Sequence, residues 1–182
     1  DALPISIYAR KHYEGRRAYY IGQDGLREAL EDEGFTIDDT NADFVFVGLD
    51  TSGTYEKYSK ALKLLLNGAK LIGTNDDRIL AQPDGFSIGN GSVVAMFEYA
   101  TQQKSPKIGK PHDTILEEAL DFLHKKKEDV ILIGDNLETD ILLGVRNQVE
   151  TIFVTTGVHQ REDIDRLGIH PTHIVDDLQE LL

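Results

Sequence analysis

Short apolar runs of strand length alternate with longer segments of helical period almost to the end of the chain, and this alternation restricts the fold more than any other feature. Residues 18–22 read as a strand, 25–33 as a helix stopped by Gly34, and Phe44-Val45-Phe46-Val47 as a buried strand. A helix is expected over 54–66, where Leu62, Leu65 and Leu66 share a face. Asn67-Gly68 ends it before a strand at 70–73. Residues 81–91 are rich in Gly, Pro, Asp and Asn and read as a long loop before a helix at 92–102. The polar, Pro-terminated stretch Gln102-Gln103-Lys104-Ser105-Pro106 marks a boundary between two structural units. Beyond it, Asp113 is expected to cap a helix carrying Ile115, Leu116, Ala119, Leu120 and Leu123 at helical spacing. Residues 130–133 follow as a fully buried strand, then short strands at 151–154 and 173–175 separated by a polar helix at 162–167. The class is α/β with a largely parallel sheet, and no internal repeat interrupts it.

Composition removes several functions. The 182 residues are 40% hydrophobic, enough for one generous core or two modest ones. A formal net charge of -13, from 32 acidic and 19 basic residues, repels nucleic-acid phosphates and anionic membrane surfaces alike, so neither is expected as a partner. There is no Cys, so thiol catalysis and thiolate metal sites are excluded, and a reducing cytoplasm is the expected compartment. No apolar run approaches the ~20 residues of a membrane span. The start, Asp1-Ala2-Leu3-Pro4-Ile5, shows neither helix nor strand period. One frame of a common sequencing-adapter end encodes these five residues, which marks them as a candidate non-native leader.

The chemistry concentrates in Ile133-Gly134-Asp135-Asn136-Leu137-Glu138-Thr139-Asp140, where an apolar strand ends on Gly134 and presents two aspartates. Ligands of open α/β sheets bind at the carboxyl ends of strands. A hard divalent ion such as magnesium takes few carboxylates, with water and phosphate oxygens completing its shell. Asp135 is placed to coordinate such an ion and Asp140 to orient a ligating water; the plainer alternative is that both are helix-capping acids. In Ile108-Gly109-Lys110-Pro111 a short apolar step ends at Gly109 and lifts out Lys110, a point charge suited to a phosphate and a carboxylate nucleophile. By itself, that Lys reads as an ordinary surface residue in a turn.

Together these segments resemble the third and fourth motifs of the haloacid dehalogenase (HAD) superfamily. The resemblance extends through Phe44-Val45-Phe46-Val47-Gly48-Leu49-Asp50, Thr54-Tyr55-Glu56-Lys57, Gly68-Ala69-Lys70-Leu71-Ile72-Gly73-Thr74-Asn75 and Gly89-Asn90-Gly91-Ser92, which look like pieces of the α/β cap of its NagD-like, class IIA phosphatases. It implies a remnant of the core-to-cap segment at 1–14, a cap at 15–104, and the C-terminal half of a Rossmann-like core at 105–182. It further implies a magnesium-dependent phosphomonoesterase acting on a small-molecule phosphate ester through an aspartyl-phosphate. Lys110 and Asp140 become the catalytic candidates, Asp135 the metal ligand, and Lys110, Asn136, Asn75 and Asp77 the substrate contacts, with a homodimer through the cap as a partner candidate.

The family's nucleophile and acid–base aspartates lie in a D-x-D-G segment, and these 182 residues contain none. The chain is therefore expected to be a fragment, inactive alone. Two segments imitate the motif. Asp163-Ile164-Asp165 has no strand before it and reads as solvated surface. Asp50-Thr51-Ser52-Gly53-Thr54 follows a buried strand, and with Thr74-Asn75, Lys110 and Asp135 it imitates a complete capless phosphatase; Ser52, however, stands where the acid–base Asp belongs. A non-catalytic small-molecule or protein-binding module is the third alternative. The six His residues lack ligand spacing, and only His112, beside Lys110, is expected near the site.

Overall fold

Strand and helix alternation resolves into two parallel sheets in the computed structural model, which describes residues 2–181, Ala81 by its backbone alone. The described residues divide into two units, 2–80 with 86–109, and 81–85 with 110–181.

The first unit begins with α1 (Ala2–His12), followed by β1 (Arg17–Ile21), α2 (Asp24–Asp32), β2 (Thr36–Ile37), β3 (Phe44–Val47), α3 (Tyr55–Leu66) and β4 (Lys70–Gly73). Next come β5 (Ile79–Gln82) and β6 (Gly85–Ile88), a two-stranded ladder around Pro83-Asp84, then α4 (Asn90–Thr101). The sheet order is β2-β1-β3-β4, all parallel. Alternate residues serve opposite faces, as the period of a strand dictates. Tyr19, Ile21, Val45, Val47 and Leu71 meet Ala61, Leu64 and Leu65 of α3 and Val94 and Phe97 of α4. Ala18, Phe44, Phe46 and Ile72 meet Ile5 and Ala9 of α1, Leu26 and Leu30 of α2, and Phe35.

Three sequence expectations need revision here. The opening stretch, expected to have no helix or strand period, forms the start of a regular helix from Ala2, with Ile5 fully buried in the core; Asp1 lies outside the described residues. The loop expected over 81–91 contains most of the β5–β6 ladder. The first unit also runs past the expected boundary at 104, because Ser105 Oγ accepts the buried Gly73 N–H at 2.8 Å and Ile108 joins the core.

In the second unit α5 (Asp113–Leu123) precedes β7 (Ile131–Gly134), a π-helical turn (Leu137–Ile141), α6 (Leu142–Asn147), β8 (Glu150–Val154), α7 (Asp163–Leu167) and β9 (His173–Val175). Asp113 opens α5 rather than capping it; His112 holds the N-cap position, and the Asp113 carboxylate accepts from Asn147 Nδ2 at 2.9 Å. The parallel order is β7-β8-β9. All three helices and the π-helical turn pack on the face that carries Leu132, Phe153 and Ile174. Ile131 and Ile133 point to the other face and are 48% and 50% exposed, so the strand expected to be fully buried is covered on one side only, where Leu132 is half-buried.

Two consequences can be measured. Ile5→Ala should destabilise the first unit by about 2–5 kcal/mol, the usual cost of truncating a buried aliphatic, whereas Leu3→Ala on the exposed side should stay within about 0.5 kcal/mol. Residue-resolved urea unfolding checks this, and equal effects would contradict the core position of α1. The second consequence concerns Asp43. The Arg17 guanidinium bonded to it, against an opposing contribution from burial and with help from the Arg16 and Arg17 amides, lowers its carboxyl from 3.8 to about 2. A folded-state pKa below the unfolded one stabilises the fold above about pH 4, and this contribution is lost as pH falls through about 2. Asp43→Asn should flatten that part of the stability–pH curve, and an unchanged slope would contradict it.

Candidate active site

β7 ends at Gly134, where the absence of a side chain lets the Asp140 side chain pack close, in the space a Cβ at Gly134 would need. Asp140 belongs to the π-helical turn, and its Oδ1 accepts from Lys110 Nζ at 2.8 Å. Its Oδ2 accepts the Asn136 N–H at 3.3 Å. Lys110, supplied from just before α5, is thereby tied to the acidic loop. Asp140 is shielded, with its side chain 13% exposed, while that of Lys110 is 35% exposed.

Asp135 is held differently. Its Oδ2 accepts the Val158 N–H at 3.0 Å and its backbone carbonyl accepts the His159 N–H at 3.2 Å, while Oδ1 accepts from no described residue. Asn136 caps the π-helical turn, its Oδ1 accepting the Glu138 N–H at 3.0 Å. Among the described residues no three His, Asp or Glu side chains converge as a metal cluster. One half-buried carboxylate with an open oxygen still suits a hard cation that draws its other ligands from water and phosphate.

The other expected site residues fall in the first unit. Asn75 follows β4 and its Oδ1 accepts the Asp77 N–H at 3.2 Å, an Asx turn, while the Asp77 carbonyl accepts the Gly91 N–H at 2.8 Å. Asp50 also lies there, whereas Lys110 and Asp135 belong to the second unit. The Asp50 side chain is 1% exposed, with Oδ1 held by the Ser52 amide and hydroxyl and Oδ2 by Lys57. Burial pushes this carboxyl up, but Lys57 and the Ser52 donors outweigh it and leave the pKa below its ordinary value.

Sequence reasoning missed Gly157, Val158 and His159. The signal was present: β8 is a second apolar strand running out into a glycine, as β7 does at Gly134.

The HAD-hydrolase-like family model matches residues 107–181. The chain is 37% identical over 183 aligned positions to the acid sugar phosphatase of Staphylococcus saprophyticus, covering 100% of this chain and 71% of that protein. It is 39% identical over 162 positions to the 5'-nucleotidase YutF of Bacillus subtilis, covering 89% of this chain and 63% of that one. Among solved structures, NagD from E. coli K-12 superposes with a TM-score of 0.83 at 36% identity, over 98% of this chain and 70% of that one. With this similarity running through both units, the chain belongs to the HAD-like hydrolases, among the NagD-like phosphatases.

Proposed function

We propose that this chain forms the cap and the C-terminal half of the core of a phosphomonoester hydrolase for small phosphorylated metabolites, sugar phosphates foremost. The observation that carries this reading is the Lys110–Asp140 pair at 2.8 Å beside an Asp135 carboxylate with one open oxygen, all at the strand end of the second unit. Asp135 is the residue to hold a divalent cation, magnesium in this reading, which when bound supplies positive charge at the phosphoryl oxygens. Lys110 keeps its ammonium fixed through Asp140 and neutralises charge where two anions, phosphate and nucleophile, must approach. Asn136, Asn75 and Asp77 are the candidates for contact with the substrate.

In this reading the nucleophile is the first aspartate of a D-x-D-G segment, which these 182 residues do not contain. Its carboxylate oxygen bonds to phosphorus as the ester P–O bond breaks, and the second aspartate of that segment protonates the leaving alkoxide. Water then releases inorganic phosphate from the aspartyl-phosphate. The capless alternative would need Asp50 to attack, but both of its oxygens are engaged and buried. No observation favours a purely non-catalytic binding module.

A chimera that joins the N-terminal segment of the S. saprophyticus relative to this chain provides the test. Asp135→Asn should lower kcat/KM for p-nitrophenyl phosphate about 100- to 1,000-fold and raise the magnesium midpoint. Asp163→Asn, on the surface and paired with Arg166, should stay within about twofold. The same magnesium dependence in both variants would remove Asp135 from the metal site.

Lys110→Ala should cut kcat about 100-fold or more while changing stability by only ~1 kcal/mol, since the Lys110 side chain is 35% exposed. Thermal unfolding beside steady-state kinetics separates the two effects. A large fall in stability with normal turnover per folded molecule would make Lys110 a packing residue.

A further inference from the structure

We infer that the turn Gly157-Val158-His159 is a positioning device that holds the acidic loop in one conformation and leaves Asp135 Oδ1 open, with His159 as its lock. The inference rests on reading Asp135 as the cation ligand. Three hydrogen bonds join the turn to the loop. The Val158 N–H donates to Asp135 Oδ2 at 3.0 Å, and the His159 N–H donates to the Asp135 carbonyl at 3.2 Å. The third runs the other way, from the Leu137 N–H to His159 Nδ1 at 3.1 Å.

A carboxylate with neither oxygen held can rotate about its own axis and exchange them. Anchoring Oδ2 on a backbone amide singles out the other oxygen and removes rotamer freedom that metal binding would otherwise have to remove. Gly157 is necessary for this approach, because a Cβ there would fall within the space taken by the Asp135 carboxylate. His159 is 8% exposed, unusual for an imidazole in a surface turn. Its Nδ1 accepts the buried Leu137 amide, so the ring carries its proton on Nε2, which faces Glu138 Oε2 at 3.7 Å. Removing the imidazole would leave the Leu137 N–H buried and unpaired just where the loop turns into its π-helical segment.

Asn is the conservative replacement, since its Oδ1 lies as many bonds from Cα as His Nδ1 and can accept the same amide. Leu fills similar space with no acceptor. The experiment titrates the full 182-residue chain with Mn2+ and follows paramagnetic broadening of the Asp135–Asp140 amide signals, together with hydrogen exchange at Leu137 and thermal unfolding. His159→Leu and Gly157→Ala should each raise the Mn2+ midpoint about 10- to 100-fold at a temperature where the chain stays folded, and His159→Leu, which leaves the Leu137 N–H unpaired, should also lower Tm and speed Leu137 exchange. His159→Asn should return the midpoint to within about threefold of the unaltered chain, and Gly25→Ala, where a Cβ meets open space, should change nothing. Unaltered midpoints in both His159→Leu and Gly157→Ala overturn the positioning role, as does a fall in Tm with no change in midpoint. Absence of broadening at Asp135 in the unaltered chain overturns the metal reading instead. In that case faster Leu137 exchange in His159→Leu still supports the lock, and unchanged exchange removes it.

Discussion

The ion pair between Lys110 and Asp140 ties the residue that opens the second unit to the loop that leaves β7. Much of the site's chemistry depends on it. With Asp140 committed to Lys110 and to the Asn136 amide, the two aspartates of one loop stop being equivalent. Asp140 spends its charge on the protein, while Asp135 keeps an oxygen facing outward. A phosphate approaching a chain of net charge -13 meets long-range repulsion, so a fixed local cation is the feature that makes an anionic substrate reasonable.

The two units satisfy their sheets unequally. In the first, α1 and α2 cover one face and α3 and α4 the other, and the strand residues on both sides are buried. In the second, the helices lie on one face, and β7 is an edge strand whose Ile131 and Ile133 remain half exposed on the other. An exposed apolar parallel edge invites pairing with further strands. In the proposed enzyme the segment bearing the nucleophile is the natural occupant of such an edge.

The existence of the elements with clear period was legible in the sequence, since the apolar run Phe44–Val47 reads as a buried strand and Tyr55–Leu66 as a helix. The helix, however, buries Ala61, Leu64 and Leu65 rather than the expected Leu62, Leu65 and Leu66, and Leu66 is 64% exposed. The N-terminal helix was not legible. Its first residues show no clear period, Pro4 interrupts, and only the burial of Ile5 with Ala9 selects the helical one. The β5–β6 ladder was hidden in a Gly- and Pro-rich stretch, although Pro83-Asp84-Gly85 is itself a turn signal. Around the site, Lys110 and the acidic loop stood out through their glycines and charges. At the turn the only signal was an apolar strand running out toward Gly157, since its bonds to the loop come from backbone amides and His159 meets Leu137 only in three dimensions.

The central claim is that these residues form the phosphate-facing half of a site whose nucleophile lies in a D-x-D-G segment. Hydrolysis of p-nitrophenyl phosphate by the purified 182-residue chain, with magnesium and beside its Asp50→Asn variant, tests that claim most directly. The account predicts no turnover by either protein. Turnover by the unaltered chain that disappears in Asp50→Asn would contradict it and place the nucleophile in the first unit.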